Sequence, residues 1–269
     1  MSCCRAMRSR LAAQLNGQGL DLGPGHQPFA VPPGATVQLV DRCQPEENAE
    51  LFPELAGVEF PQPDVIANFD TDRLSAIATE SQDFVVCSHV LEHLADPLGM
   101  VTDIHRVLRP GGLALIVLPD RRQTFDADRQ PTSIQHLVAE HRAGVTAVDD
   151  DHIETFLAET RDGPSPFDVH PLDWHRQRSI HAHCWADVEF QAVLLYGVRH
   201  LRWRWHLIDW FPTAPDGVEF GFLLQRSGGR SKRRIARRLV AAFSGDEALT
   251  PPRESQEQVR VDPAHQPTA

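Results

Sequence analysis

A histidine closes an apolar run in this chain: residues 83–87 (Asp-Phe-Val-Val-Cys) lead into Ser88 and His89, then into Leu91, Glu92 and His93. An imidazole titrates near neutrality and can take a proton from a hydroxyl or an amine, which makes His89 a candidate general base. A second group gathers between positions 170 and 183, where His170, Asp173, His175, His181 and His183 occur. On a strand, His181 and His183 would face one side and, joined by His170, His175 or Asp173, would offer the donors of a metal site; neutral histidines in such a group also line polar pockets. A third feature is Leu20-Asp21-Leu22-Gly23-Pro24-Gly25. Its two glycines lack the Cβ atoms that would keep backbone N–H groups away from a ligand. Sixteen residues past Gly25 stands Asp41, a carboxylate that can accept from paired sugar hydroxyls or merely close a turn. Asp70 and Asp72 follow another apolar run, and either meet a ligand or cap a short helix starting near Arg73.

These residues need strands to carry them to one edge. Apolar runs predict strands at 20–22, 37–40, 64–69, at 83–87 and at 113–119. Between the last two, Asp96-Pro97 supplies an N-cap and a proline at the first helical position, Leu98, Val101, Ile104, Val107 and Leu108 form one apolar face, and Pro110-Gly111-Gly112 is expected to end the helix. Helical spacing also appears at 5–15, at 44–56 with an interruption at Pro53, and at 187–196. Two β-rich runs, 200–209 and 218–225, flank a Pro- and Gly-containing turn and read as a closing hairpin. Residues 121–182 break the alternation with helical patterns near 134–141 and 152–160, which reads as an insertion after the fifth strand. The order predicts a doubly wound α/β sheet, and no internal repeat is present.

Ser88-His89-Val90-Leu91-Glu92-His93, followed by Arg106-Val107-Leu108-Arg109-Pro110-Gly111-Gly112, resembles the strand 4 to strand 5 segment of the class I S-adenosylmethionine-dependent methyltransferases, in particular those with a type 11 methyltransferase domain. The resemblance covers roughly residues 20–224. It implies a Rossmann-like, mostly parallel seven-stranded sheet with a C-terminal antiparallel hairpin, and S-adenosyl-L-methionine as cofactor. It also implies a cofactor site built from Asp21, Gly23, Gly25, Asp41, Asp70 and Ser88, with Asp41 toward the ribose and Asp70 toward the adenine. His89, expected from its strand-end position to be the catalytic residue, could instead contact the cofactor or be a packed, hydrogen-bonded residue, and the recurrence of Leu91-Glu92-His93 in the family implies that Glu92 and His93 mainly brace the loop. Members of the family often place substrate residues in an insertion after strand five, so His175, His181 and His183 are expected to bind the acceptor with no metal. That acceptor is expected to be a small molecule or a glycan or lipid-linked precursor, and the Asn/Asp-Pro-Pro-Tyr motif of the enzymes that methylate nucleic-acid amino groups is missing. The chain departs from the family pattern in lacking a third glycine, since His26 follows Gly25, and in leaving no room for a long helix between strands one and two. Two other readings fit the same residues: a non-catalytic cofactor-binding or scaffolding member of the fold, and a metal-dependent hydrolase using the cluster at 170–183.

Composition narrows the partners. At 269 residues, 41% of them hydrophobic, the chain suffices for one domain, expected over residues 1–228. A formal charge of −11 argues against a nucleic-acid partner, because phosphate binding depends on basic surface. Five cysteines without a C-x-x-C pair read as reduced thiols, and the absence of a long apolar run or leader pattern leads to the expectation of a soluble cytoplasmic protein. The basic run at 230–238, with apolar residues continuing to Phe243, fits a solvated terminal helix or one that touches an anionic membrane surface, and a Pro- and Gln-containing tail to 269 cannot bury a core. Nothing in the sequence sets the oligomeric state.

Overall fold

A computed structural model describes residues 3–160, 172–228 and 241. His170, the basic run at 230–238 and the tail lie outside the described residues. Seven strands form one sheet: β1 (Gly17–Leu22), β2 (Ala35–Asp41), β3 (Val65–Ile66), β4 (Gln82–Ser88), β5 (Leu108–Pro119), β6 (Trp205–Phe211) and β7 (Glu219–Arg226). Their order is β3-β2-β1-β4-β5-β7-β6. The first five are parallel, while β7 runs antiparallel between β5 and β6. The order reverses at β1, so a crevice opens between the C-terminal ends of β1 and β4.

Helices cover both faces: α1 (Cys3–Ala12), α2 (Pro45–Leu51), α3 (Pro97–Val107), α4 (Ile134–Ala143), α5 (Asp150–Glu159), α6 (Leu172–Arg178) and α7 (Asp187–His200). The strand period of two sorts the core. Val85, Cys87, Ala114, Ile116 and Leu118 pack with α3 and α7 on one face. Phe84, Val86, Leu115 and Val117 pack on the other with Leu11 and Leu15 from the N-terminal segment and with Phe29. Residues 23–34 carry β1 to β2 as a loop without a helix, so α1 and Phe29 cover the face that a crossover helix would otherwise shield.

Three local expectations are corrected. The helix α3 begins as read, with Asp96 Oδ1 accepting from Gly99 N at 2.8 Å, but it ends at Val107 because Leu108 already pairs with Gln82. Pro110-Gly111-Gly112 therefore lies within β5. β3 is two residues long and not six. The Asn68 side chain stops it by accepting from the N–H groups of Asp70 and Thr71, a local alternative to the ladder. Residues 200–204 do not belong to the hairpin, since α7 runs to His200 and β6 starts at Trp205.

Candidate active site

A cavity of about 410 Å³ lies outside the carboxyl ends of β1, β2 and β4. Gly23, Gly25, Asp41 and Asp70 line it from the sheet side, with His89 and His93 beside them. Val148, Ile153 and His175 close it from the insertion. Its volume falls in the range of small-molecule sites.

The glycine loop leaves β1 with both glycines in the left-handed region, Gly23 at φ +61° and Gly25 at φ +53°. A side chain is strained in that conformation. Gly23 N donates to Val40 O at 2.8 Å, and Gly25 N donates to Asp41 Oδ2 at 3.3 Å. Asp41 Oδ1 accepts from Arg42 N at 2.7 Å, so each of its oxygens keeps a lone pair for another donor. Asp70 Oδ1 accepts from Ala95 N at 2.8 Å, and burial raises its pKa against the effect of that amide.

Two residues assigned to the cofactor lie elsewhere. Asp21, 2% exposed, is turned behind the loop and accepts from Phe29 N at 2.7 Å. Burial lifts its pKa to about 6 despite that bond, and the nearby Asp41 adds to the rise. The position before the loop that looked ligand-facing is thus spent on closing the loop. Ser88 pairs with Val117 in the ladder and does not line the cavity.

His89 lines the cavity in an unusual backbone state, φ +56°. Strain of this kind costs on the order of 1–3 kcal/mol and persists where surrounding structure enforces it. Here its N–H donates to Val117 O at 3.0 Å, and its Nε2 lies 2.9 Å from Glu219 Oε2. Glu219 also accepts from Arg8, whose Nε lies 2.7 Å from Oε1. Burial alone would raise Glu219, yet the His89 and Arg8 hydrogen bonds pull it down to about 2. A carboxylate so held can only accept, so His89 Nε2 carries the hydrogen. Glu92 is 0% exposed, neither of its oxygens has a hydrogen-bond partner, and Oε1 lies 3.7 Å from both His89 Nδ1 and His93 Nε2. His93 Nδ1 donates to Ile180 O at 2.8 Å. Its half-buried ring borders the cavity, and partial desolvation lowers its pKa to about 4.

The three histidines assigned to the acceptor separate. His175 lines the cavity. His181 instead donates from Nδ1 to Asp126 Oδ2 at 2.6 Å, and the same carboxylate binds Arg129 at 2.7 Å. His183 is fully buried beside α4, its Nε2 3.6 Å from Glu140 Oε2. Residues 180–184 form no strand, so the alternation that would have aligned His181 and His183 does not exist, and the hydrolase arrangement drawn from this cluster is not assembled among the described residues.

Sequence reasoning missed Arg8, Glu219 and the second wall of the cavity. Glu219 had a signal, a lone carboxylate leading the apolar run Phe220-Gly-Phe-Leu-Leu224. In that wall, Phe52 and Phe60 stack at 6.5 Å, and the Arg178 guanidinium sits 4.6 Å above Phe52 and 4.4 Å above Trp174.

Among the described residues, no helix is long and apolar enough to cross a membrane. A family model described as a methyltransferase domain matches residues 2–206. No curated protein matches the chain. Among solved structures the chain is similar to the CurJ carbon methyltransferase at 10% identity, with 83% of this chain aligned and a TM-score of 0.44; it spans 55% of that chain. It is also similar to an S-adenosylmethionine-dependent methyltransferase from Methanosarcina mazei, at 16% identity, 82% and 97% coverage and a TM-score of 0.42. A third, from Aquifex aeolicus, shows 12% identity, 82% and 88% coverage and a TM-score of 0.41.

Proposed function

The chain belongs to the methyltransferase-domain family and is an S-adenosylmethionine-dependent methyltransferase, and we propose that it methylates a small molecule, or the reacting end of a glycan or lipid-linked precursor, with His89 as proton acceptor. The observation that carries this reading is the strained His89, held against Glu219 in the same cavity as Gly23, Gly25, Asp41 and Asp70. Those residues fit the cofactor. A Cβ at Gly25 would meet nothing within 4 Å, so the loop leaves open space for a ligand against its backbone, and Asp41 retains acceptor capacity for a ribose diol. Asp70, part-way round the same wall, would meet the adenine.

The bound cofactor supplies an electrophilic methyl group; the protein's part is to hold the acceptor in line and take its proton. With Nε2–H committed to Glu219, Nδ1 is the nitrogen left for that proton, and Glu92 at 3.7 Å is placed to stabilise the cation that results. His175 and the apolar side chains of Phe52, Val148 and Ile153 would grip the acceptor.

Calorimetric titration with S-adenosylhomocysteine tests the cofactor half. Asp41→Ala should weaken binding by about 1–3 kcal/mol, and an unchanged affinity in the folded variant removes Asp41 from the site. Single-turnover methyl transfer from labelled S-adenosylmethionine to small-molecule acceptors tests the rest. His89→Ala should slow transfer about 10²-fold or more at nearly constant cofactor affinity. Transfer at the wild-type rate would leave His89 as packing.

A further inference from the structure

We propose that His136, Glu140, His152 and His183 form a binding site for a divalent transition metal, zinc above all, which fastens the insertion to the body of the protein. The proposal does not rest on the methyl-transfer reading. His136 and Glu140 stand four residues apart on α4 and so share a face. His152 comes from the first turn of α5, and His183 from the segment before Trp185.

One ligand atom from each of the four lies within 4.8 Å of the others. His136 Nε2 and His152 Nε2 are 3.0 Å apart, and Glu140 Oε1 lies 3.2 Å from the first and 3.1 Å from the second. His183 Nε2 is 3.6 Å from Glu140 Oε2. Zinc bonds of about 2.0–2.1 Å in a tetrahedron put neighbouring ligand atoms about 3.3 Å apart. The spacings among His136, His152 and Glu140 Oε1 lie just under that value and the His183–Glu140 Oε2 spacing just over it, with the remaining separations within 4.8 Å.

Two further observations point inward. His152 Nδ1 lies 2.7 Å from Oδ1 of Asp149, the N-cap of α5. That bond places the ring hydrogen on Nδ1 and leaves the Nε2 lone pair facing the other three residues, the carboxylate–histidine support that metal ligands commonly have. His183 is 0% exposed, and neither of its nitrogens, nor Glu140 Oε2, has a hydrogen-bond partner; the Leu94 backbone is its other polar neighbour. Leaving such groups unpaired inside a protein costs about 1–3 kcal/mol each. Protons on His136 and His152 can serve the contacts between these rings and with Glu140 Oε1, but they leave His183 Nε2 and Glu140 Oε2 unmet, which a cation at the centre would serve.

Three imidazoles and one carboxylate suit zinc, and four protein ligands make a closed, structural site. Its effect would reach the cavity, because Ile153, next to His152, lines the insertion wall.

The test uses the untagged full-length chain, purified without added metal. Elemental analysis should find about one zinc per chain. His136→Ala, at the most exposed of the four positions, and His152→Ala should each lower that content about tenfold or more, while His93→Ala, in the separate group Glu92, His93 and His181, should leave it unchanged. Dialysis against a chelator should lower the Tm of the wild type, zinc sulfate should restore it, and His136→Ala should show neither effect. The proposal is overturned by a wild-type chain that carries no metal and gains no Tm from zinc sulfate after chelation. It is equally overturned by metal content that survives in folded His136→Ala, or that is lost in folded His93→Ala.

Discussion

Asp21 and Asp41 are carboxylates on neighbouring strands, and their surroundings give them opposite tasks. Asp41 keeps acceptor capacity on the cavity wall, whereas Asp21 is sealed behind the glycine loop, where burial pushes its pKa up to about 6 from the usual 3.8. A native pKa above the unfolded one means that Asp21 contributes its full stability below about pH 4 and loses it as pH rises through about 6. Asp21→Asn, which preserves an acceptor for Phe29 N–H, should therefore match the wild type near pH 4 and exceed it by on the order of 2–3 kcal/mol at pH 7.5. Urea denaturation at the two pH values measures this; a difference that does not change with pH would mean that folding leaves the pKa of Asp21 unraised. The positions of His89, Gly23, Gly25, Asp41 and Asp70 were readable because each sits at a strand end, where the fold itself sets the direction. The roles of Asp21 and Ser88 were not, since a strand-end position does not say whether a side chain turns toward the crevice or behind it. His181 and His183 were misplaced for a related reason, because alternation has meaning only on a strand.

At the level of elements, strongly periodic segments were legible and their ends were not. The helix α3 was readable from its cap and apolar stripe, while its last residue was decided by a strand partner, Gln82, 26 positions earlier than Leu108. The insertion helix α6 carried no stripe to find. A close approach fixes α7: a Cβ on Gly197 would lie 1.8 Å from Trp203 Cε3, and that indole is anchored by a 2.9 Å hydrogen bond to Thr102 Oγ1 on α3. Gly197→Ala gains about 1 kcal/mol of helix propensity. Overpacking against an anchored ring costs more, so a net loss of about 1–3 kcal/mol is expected in chemical denaturation. A gain in stability would show that Trp203 can move aside freely.

For the molecule as a whole, the doubly wound sheet followed from the order of elements and its seven-stranded form from the family resemblance, but the support of His89 followed from neither. Arg8 comes from α1 and Glu219 from the start of β7, and no local pattern links either to position 89. Against burial, the His89 and Arg8 hydrogen bonds hold the native pKa of Glu219 at about 2, below the usual 4.5, so its contribution is complete above about pH 4.5 and is lost as pH falls through about 2. Arg8→Ala removes one of its partners and should cost about 1–2 kcal/mol at pH 7, less than a fully buried pair because Arg8 is 34% exposed. That deficit should shrink below pH 4.5. Glu219→Gln should slow methyl transfer without weakening S-adenosylhomocysteine binding if His89 is the base as proposed, since Glu219 holds His89 Nε2 and does not line the cavity. A parallel loss of affinity would contradict that division.

The Arg8–Glu219 contact joins positions 211 apart, and among the described residues β6 pairs with β7 alone, which is made after it. At about 5–20 residues per second, a ribosome takes roughly 10–40 s to travel from one partner to the other. The parallel strands β1, β4 and β5 can associate meanwhile, while β6 waits beside the growing sheet and the imidazole of His89 has no carboxylate to fix its tautomer. Contacts this remote along the chain are slow to close. On the role proposed for His89, methyl transfer would be acquired after cofactor binding, and a nascent or truncated product that already binds cofactor would still be slow in transfer.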